Sequence, residues 1–476
     1  MPDRSAACWL CPSRHTLILV ALVVLALARG LLYAAVIPPW QAPDEPKHFE
    51  YARLVADKGG PVSGRERSVP LQQAIIDSMV RYRFWDLGYY GYPYDDADPP
   101  QQFDQVWAPI QASVLFHPPA YYGLCAMAVW PWLAADVVTQ LYVMRLLNVL
   151  LFAGVIVAAF LTARELFPAD TALLVAIPAA VLWQPTFTFI SSSVNNDNLA
   201  NLVTAWLIWL LVRWYVRGFS VLGGLAIVAL LILGLLTKRT TLFILPLVAA
   251  AVPLYLWGRG ASRWMRWVWL IGFGAAIAGL LGFIALVLSG RGGTLFSWLA
   301  GDLRWGADVV QNPDQYRLTD PAIYAAYAES LFVTFWAIFG WVNVRLEEPW
   351  YQLLSVINLL AVGGLGLLAV RSWRGQISLG RGRKRALVLL IAAFVLALGI
   401  VLGKAIRSQT FLPGDLPQGR YLFPVIVPIS VLLVTGLWQW VPARYRRSAL
   451  VTFLGTLVVF DTLCLVDYIV PFFYLK

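Results

Sequence analysis

Eleven stretches of 17 to 24 mostly apolar residues recur along this chain, and nothing else in it constrains the fold as much. A helix of about 20 residues spans a hydrocarbon core of roughly 30 Å. The runs cover 16–37, 141–163, 171–190, 198–216, 220–236, 240–257, 265–288, 351–370, 386–403, 421–440 and 448–470. Of 476 residues, 60% are hydrophobic and 13% charged, against roughly 25% charged in soluble domains. A soluble enzyme, a secreted disulfide scaffold and a disordered chain are thereby excluded. The fold class is all-α and polytopic, a bundle of about 11 transmembrane helices.

The net charge of +10 would suggest nucleic acid in a soluble protein; here basic residues are first sorted by membrane side. With the N-terminus inside, the inner loops carry seventeen Lys and Arg and three acids, Asp3, Glu165 and Asp170. The rule that positive charge stays inside then makes the amino end cytoplasmic and the carboxyl end extracytoplasmic. The first run continues past Arg29 to Ile37 without a clear cleavage site, so a retained anchor is expected rather than a signal peptide. This count requires 119–135 and 322–343 to be interfacial or re-entrant rather than spanning. The chain reads as one membrane domain over 1–476, with a first outer loop at 38–140 and further outer loops at 289–350 and 404–420. Cys8 and Cys11 form a lone CxxC, a weak metal or redox signal, and four cysteines make no disulfide framework.

Polar residues gather on the outer side. Asp44 and Glu45 stand in Pro-Pro-Trp-Gln-Ala-Pro-Asp-Glu-Pro-Lys-His-Phe, numbered 38–49, held between Pro43 and Pro46 because proline fixes backbone torsion. Pro46 suits the first turn of a short helix carrying His48 and Arg53. A solvated acidic turn is the bland alternative. Asn195-Asn-Asp197-Asn joins two spans; Asp197 suits a helix N-terminus, and the flanking Asn196 adds capacity for a metal or sugar hydroxyls. His117, before Pro118 and Pro119, could orient a carboxylate or simply sit at the interface. Lys238, Arg239, Arg345, Arg407 and Arg420, with Lys404, are cations on the side where the positive-inside rule disfavours them. An anionic ligand accounts for them, since Arg matches phosphate oxygens; snorkelling to lipid headgroups is the alternative. Arg29, Arg145, Asp461 and Asp467 fall inside spans and are expected to snorkel to an interface. The loop 50–116 carries Trp85, Tyr89, Tyr90, Tyr92, Tyr94, Asp95 and Asp96, a composition suited to shaping acceptor binding and equally to stacking against lipid headgroups.

A carboxylate, several cations and an apolar cleft permit one reaction economically. A sugar linked to a lipid phosphate already has a good leaving group, whose charge the cations stabilise. One carboxylate then suffices to take the acceptor's proton, and attack opposite the phosphate inverts the anomeric centre.

The Pro-Asp-Glu-Pro-x-His-Phe opening, His-Pro-Pro-x-Tyr-Tyr, Asn-Asn-Asp-x-Leu-Ala and Gln-Gly-Arg-Tyr-Leu-Phe-Pro together resemble the GT-C superfamily of membrane glycosyltransferases. The nearest likeness is to the protein O-mannosyltransferases and aminoarabinose transferases, and to bacterial membrane proteins with the same first-loop motif. The resemblance implies a polyprenyl-phosphate-linked sugar donor, membrane lipid as surroundings, a glycan, lipid or protein acceptor, and no nucleic acid. It puts the catalytic acid/base at Asp44, with Glu45 beside it, and a second acid at Asp197. It assigns Lys238, Arg239 and Arg420 to the lipid phosphate. Some members use a divalent cation; Asp44, Glu45 and Asp197 would offer oxygen ligands to Mg²⁺ or Mn²⁺. With no soluble domain after the last run, sequon reading is not expected. A transporter or flippase of a lipid-linked sugar is the rival reading; it calls for an inverted repeat, and the acidic motifs have no second copy.

Overall fold

The computed structural model describes residues 13–475 apart from 63–65, 88–99, 107–109, 111–113, 258–266, 268–319, 378 and 409–415. Among the described residues, seven helices are long and apolar enough to cross a membrane, and a bent pair makes an eighth. It is a multi-pass membrane protein.

Helix α1 (Arg14–Val36) is followed by two shorter helices, α2 (Glu45–Lys58) and α3 (Val69–Arg81). The stretch read as non-spanning at 119–135 holds the ten-residue α4 (Ala120–Val129) and a 3-10 turn at Trp130–Trp132. Next come α5 (Val137–Leu166), α6 (Thr171–Leu182), α7 (Pro185–Ser191), α8 (Asp197–Arg217) and α9 (Val221–Leu235). The 171–190 run is not one straight span: α6 and α7 meet at 60°, where Pro185 cannot donate the ladder hydrogen bond. Runs 220–236 and 240–257 give shorter helices, α9 and α10 (Ile244–Trp257), separated by a 3-10 turn at Arg239–Phe243. The polar Thr237-Lys238-Arg239 step accounts for the interruption. The 265–288 run lies outside the described residues.

The second stretch read as non-spanning, 322–343, is a 16-residue helix, α11 (Pro321–Trp336), followed by an antiparallel hairpin of β1 (Ile338–Phe339) and β2 (Val344–Arg345). Then α12 (Glu348–Trp373), α13 (Arg381–Ser408), a 3-10 turn at Gly419–Val425, α14 (Ile426–Trp438) and α15 (Arg446–Leu463) complete the bundle. A π-helical stretch follows at Cys464–Ile469. Tyr474 donates to the Val36 carbonyl, so the chain's last turn lies at the C-terminal end of α1.

Helices α5 and α8 form the centre: α5 packs on α1, α4, α6 and α8. Their polar contacts sort into two ends. At one, Glu165 takes Arg213 and Arg217, and Asp170 takes Arg446. At the other lie the C-terminus of α1, the N-termini of α5 and α8, and the turns at 239–243 and 419–425.

The expectation that Arg29, Arg145 and Asp461 snorkel is corrected here. Arg29 pairs with Asp461 inside the bundle, donates to the Leu182 carbonyl at the α6–α7 bend, and lies near Tyr33, which also donates to Asp461. Arg145 is fully buried. Charges in mid-bundle are costly unless paired, and a partner on another helix satisfies each more completely than reaching for the interface.

Candidate functional site

The turn after α1 is built on an internal ion pair. Arg145 Nε and Nη2 donate to the two Glu45 oxygens at 2.9 and 2.6 Å. The same guanidinium donates to the carbonyls of Ala34, Ile37 and Pro38, which the end of α1 leaves without helical partners. Glu45 also accepts from the backbone N–H groups of Trp40 and Val194. Glu45 is wholly buried, with its oxygens engaged. It fixes the loop and is not open to a substrate.

That clamp imposes an unusual backbone. Trp40 and Asp44 have φ of +70° and +65°, a region costing a side-chain-bearing residue roughly 1–3 kcal/mol and persisting only where the surroundings enforce it. Trp40 is held by hydrogen bonds from its indole to Ser78 and from Trp341 to its carbonyl. Asp44 precedes α2 yet makes no side-chain cap bond, so its carboxylate turns elsewhere. Oδ1 meets Lys47 Nζ at 2.8 Å and Oδ2 meets Arg420 Nη2 at 2.7 Å. About a quarter of the side chain (26%) stays open. Burial pushes this carboxyl upward, but Arg420 and Lys47 outweigh it and hold the group well below the usual carboxylate range.

Arg420 reaches the site because residue 419 is glycine. A Cβ there would lie 2.3 Å from the Phe335 nitrogen and 2.4 Å from the Leu331 carbonyl of α11. The Gly419 N–H donates to Thr334 Oγ1, and Ser330 donates to the Pro417 carbonyl. This seat on α11 brings Arg420 against Asp44. Its Nε and Nη1 have no partner among the described residues.

Asp197 opens α8 and is fully buried, with Oδ1 2.7 Å from Lys238 Nζ. Its carboxylate does not cap the helix; Asn195 Oδ1 takes the Asp197 N–H instead. Asn198 ties the turn to Asn148, Ile190 and Ser193. Asn196 Nδ2 lies 3.1 Å from His117 Nδ1, and Tyr122 Oη lies 2.8 Å from His48 Nδ1 and 3.4 Å from His117 Nδ1. Burial, reinforced by Lys238 and Arg239, pushes His117 down to about 3. Burial also drives His48 well below its ordinary value against the opposing pull of Asp44. Both imidazoles are therefore neutral near pH 7, and Nδ1 of His117 accepts from Asn196.

Of the residues singled out in the sequence, Asp44, His48, His117, Asn196, Asp197, Lys238, Arg239 and Arg420 thus converge. Arg345 does not: it pairs with Glu348 at 3.3 Å and Glu329 at 4.0 Å on the rim of a separate cavity bounded by α11 and α12. The side chains of Lys404 and Arg407 lie outside the described residues, as do Cys8, Cys11, Tyr89, Tyr90, Tyr92, Tyr94, Asp95 and Asp96. Sequence reasoning missed Lys47 and Tyr122. Lys47 sits three residues after Asp44 and so one helical turn away; Tyr122 stands in the quoted His-Pro-Pro-x-Tyr-Tyr segment.

Residues 95–429 match the model of a family described as predicted membrane protein (DUF2142). The chain belongs to that family. The matched region holds His117, Asn196, Asp197, Lys238, Arg239 and Arg420, whereas Asp44, Glu45, Lys47 and His48 precede it. The structure is similar to the crystal structure of ArnT from Cupriavidus metallidurans bound to undecaprenyl phosphate, with a TM-score of 0.45 and 16% identity over 95% of this chain and 73% of that one. No curated protein matches the sequence.

The donor set of this family member does not suit a divalent cation. Asp44 and Asp197 are matched by Lys47, Lys238 and Arg420 at 2.7–2.8 Å, so the cluster is already net positive. Among the described residues no three His, Cys, Asp or Glu side chains are grouped to hold a metal ion. An anion is the ligand these charges favour.

Proposed function

We propose that this protein is an inverting glycosyltransferase that moves a monosaccharide from a polyprenyl-phosphate donor to an acceptor on the extracytoplasmic face of the inner membrane. The observation carrying this reading is the contact of Asp44 with Arg420 in a net positive cluster beside an apolar cavity. That cavity has a volume of about 540 Å³ and is lined by Ala120, Gly123, Leu124, Leu199 and Leu233 among others. Ala120 follows His117 closely, Leu199 follows Asp197, and Leu233 precedes Lys238, so an apolar chain in the cavity would have its phosphate among the cations. The ion-paired basic residues at the opposite end of the bundle support a cytoplasmic N-terminus and an extracytoplasmic site.

In this scheme Arg420, Lys238 and Arg239 hold the donor phosphate, and His48, His117 and Asn196 face the sugar. Asp44 accepts the acceptor's proton as the nucleophile attacks the anomeric carbon opposite the phosphate. The bond from that carbon to the phosphate oxygen breaks, the electron pair leaves on polyprenyl phosphate, and the cations stabilise the new charge. Asp44 is a weak base while Arg420 and Lys47 compensate it. Phosphate binding draws on that same positive charge, so donor loading raises the carboxyl toward a useful range. Glu45 acts through Arg145 by holding the Asp44 turn.

Mass spectrometry of envelope glycans from cells with the protein, without it, and with Asp44→Asn tests the proposal. One glycan or glycolipid should lose a single sugar in both the deletion and the variant. Identical glycans in all three strains would remove the transferase reading, and movement of a lipid-linked sugar without a covalent product would favour a flippase.

A further inference from the structure

One turn below Asp197, on the same face of α8, Asn201 is 1% exposed, and neither its Nδ2 nor its Oδ1 has a partner among the described residues. The other faces of this helix are spoken for. Asn198 and Trp206 bond into α5, and Val203 and Leu207 pack near Gly234 of α9. Tyr215, on the same side of the helix as Asp197 and Asn201, has its carbonyl against Gly382 of α13, and α8 also packs against the 419–425 turn. The turns at 239–243 and 419–425 pack against α8 and against each other. Each contributes a further buried group with no partner among the described residues, Thr240 Oγ1 and the Nε and Nη1 atoms of Arg420.

An amide buried without hydrogen bonds is more expensive than the leucine that would fill the same space. A ligand that supplies the missing bonds removes that expense. Phosphate oxygens cannot satisfy this side chain alone, because they accept from Nδ2 but give nothing to Oδ1. A hydroxyl both donates and accepts, and adjacent hydroxyls on a sugar ring match both ends of an amide.

We propose that Asn201 is a specificity-determining residue that reads hydroxyls of the donor sugar, beneath the cations that hold the phosphate. This deepens the transferase reading and rests on it.

The test compares wild type with Asn201→Leu, purified in nanodiscs, for melting temperature and for affinity toward undecaprenyl phosphate and its glucosyl, mannosyl and arabinosyl derivatives. The variant should melt no lower than wild type and bind sugar-free undecaprenyl phosphate within about twofold. It should bind the sugar derivative preferred by wild type about tenfold or more weakly, as expected for one or two lost hydrogen bonds. A lower melting temperature would mark Asn201 as a structural amide and overturn the inference. So would equal weakening toward the sugar-free lipid, or an unchanged sugar preference, which would mean that the amide holds only water. Wild type that binds undecaprenyl phosphate but no derivative more tightly overturns sugar reading while leaving the lipid donor in place. Wild type that binds none of these lipids removes the transferase reading and this inference together.

Discussion

The carboxylate of Asp44 and the guanidinium of Arg420, 376 positions apart in sequence, meet at 2.7 Å. Arg420→Met removes the larger of the two charges that depress Asp44. The carboxyl should then rise toward the ordinary range, so the acidic limb of kcat/KM for sugar transfer moves to higher pH. Donor affinity should fall about tenfold or more, since a charge-assisted contact to phosphate is lost. A pH–rate profile of the variant checks the direction. Arg420→Lys should restore the limb better than the affinity, because ammonium keeps the charge but not the planar donor set.

Glu45 and Arg145 should behave as structure. Replacing Arg145 by Met leaves Glu45 charged and unpaired in a buried site, which costs about 3–5 kcal/mol. Loss of monodisperse protein, or a large drop in melting temperature, is the expected result. The double change Arg145→Met with Glu45→Leu should recover part of that loss, though the Ala34, Ile37 and Pro38 carbonyls stay without their donor. Full activity in the single variant would contradict the role given to this pair.

Gly419→Ala should damage the site from a distance. The methyl group would overlap the α11 backbone, so the turn must move and Arg420 with it. Donor affinity should fall as far as in Arg420→Met, with some loss of stability. A measurement of undecaprenyl phosphate binding decides the matter.

Glu50 gives the protein a pH dependence unrelated to catalysis. Burial raises its carboxyl to about 7, with Gln72 Nε2 donating to it and Gln72 Oε1 accepting from the Phe103 N–H. The folded state therefore holds a proton that the unfolded chain releases nearer 4.5. Stability from this group is intact below the unfolded value and falls as pH rises through 7, by roughly 3 kcal/mol at most. Glu50→Gln should melt like wild type at pH 4.5 and higher than wild type at pH 8. His117 shifts the other way: its folded value is about 3, so its contribution is lost as pH falls below about 6.5.

The membrane class and most helices were legible in the sequence, because a run of about 20 apolar residues has few other stable uses. The short motifs also pointed to one common end of the bundle, where the structure gathers them, since Asp44, Asp197, Lys238 and Arg420 are polar where lipid makes polarity costly. Their pairing was not legible. Arg145 and Glu45 lie 100 positions apart, and nothing local distinguishes a buried partner from a snorkelling arginine. The break between α6 and α7 depends on Pro185 within an otherwise continuous apolar run. Arg345 carries the same charge as Arg420 and also follows a glycine-containing segment, but its partner Glu348 is three residues away, whereas Arg420 reaches Asp44 only through the seat of Gly419 on α11.

The most direct test of the shared pocket is Asp44→Asn, assayed in nanodiscs for both sugar transfer and undecaprenyl phosphate binding. Asn tolerates the left-handed backbone at this position, so the fold should hold. Transfer should fall about 10²–10⁴-fold, while the lipid phosphate binds as tightly as in wild type or more so, because a competing carboxylate has been neutralised beside Arg420. Unchanged transfer, or loss of lipid binding in step with transfer, would contradict the account.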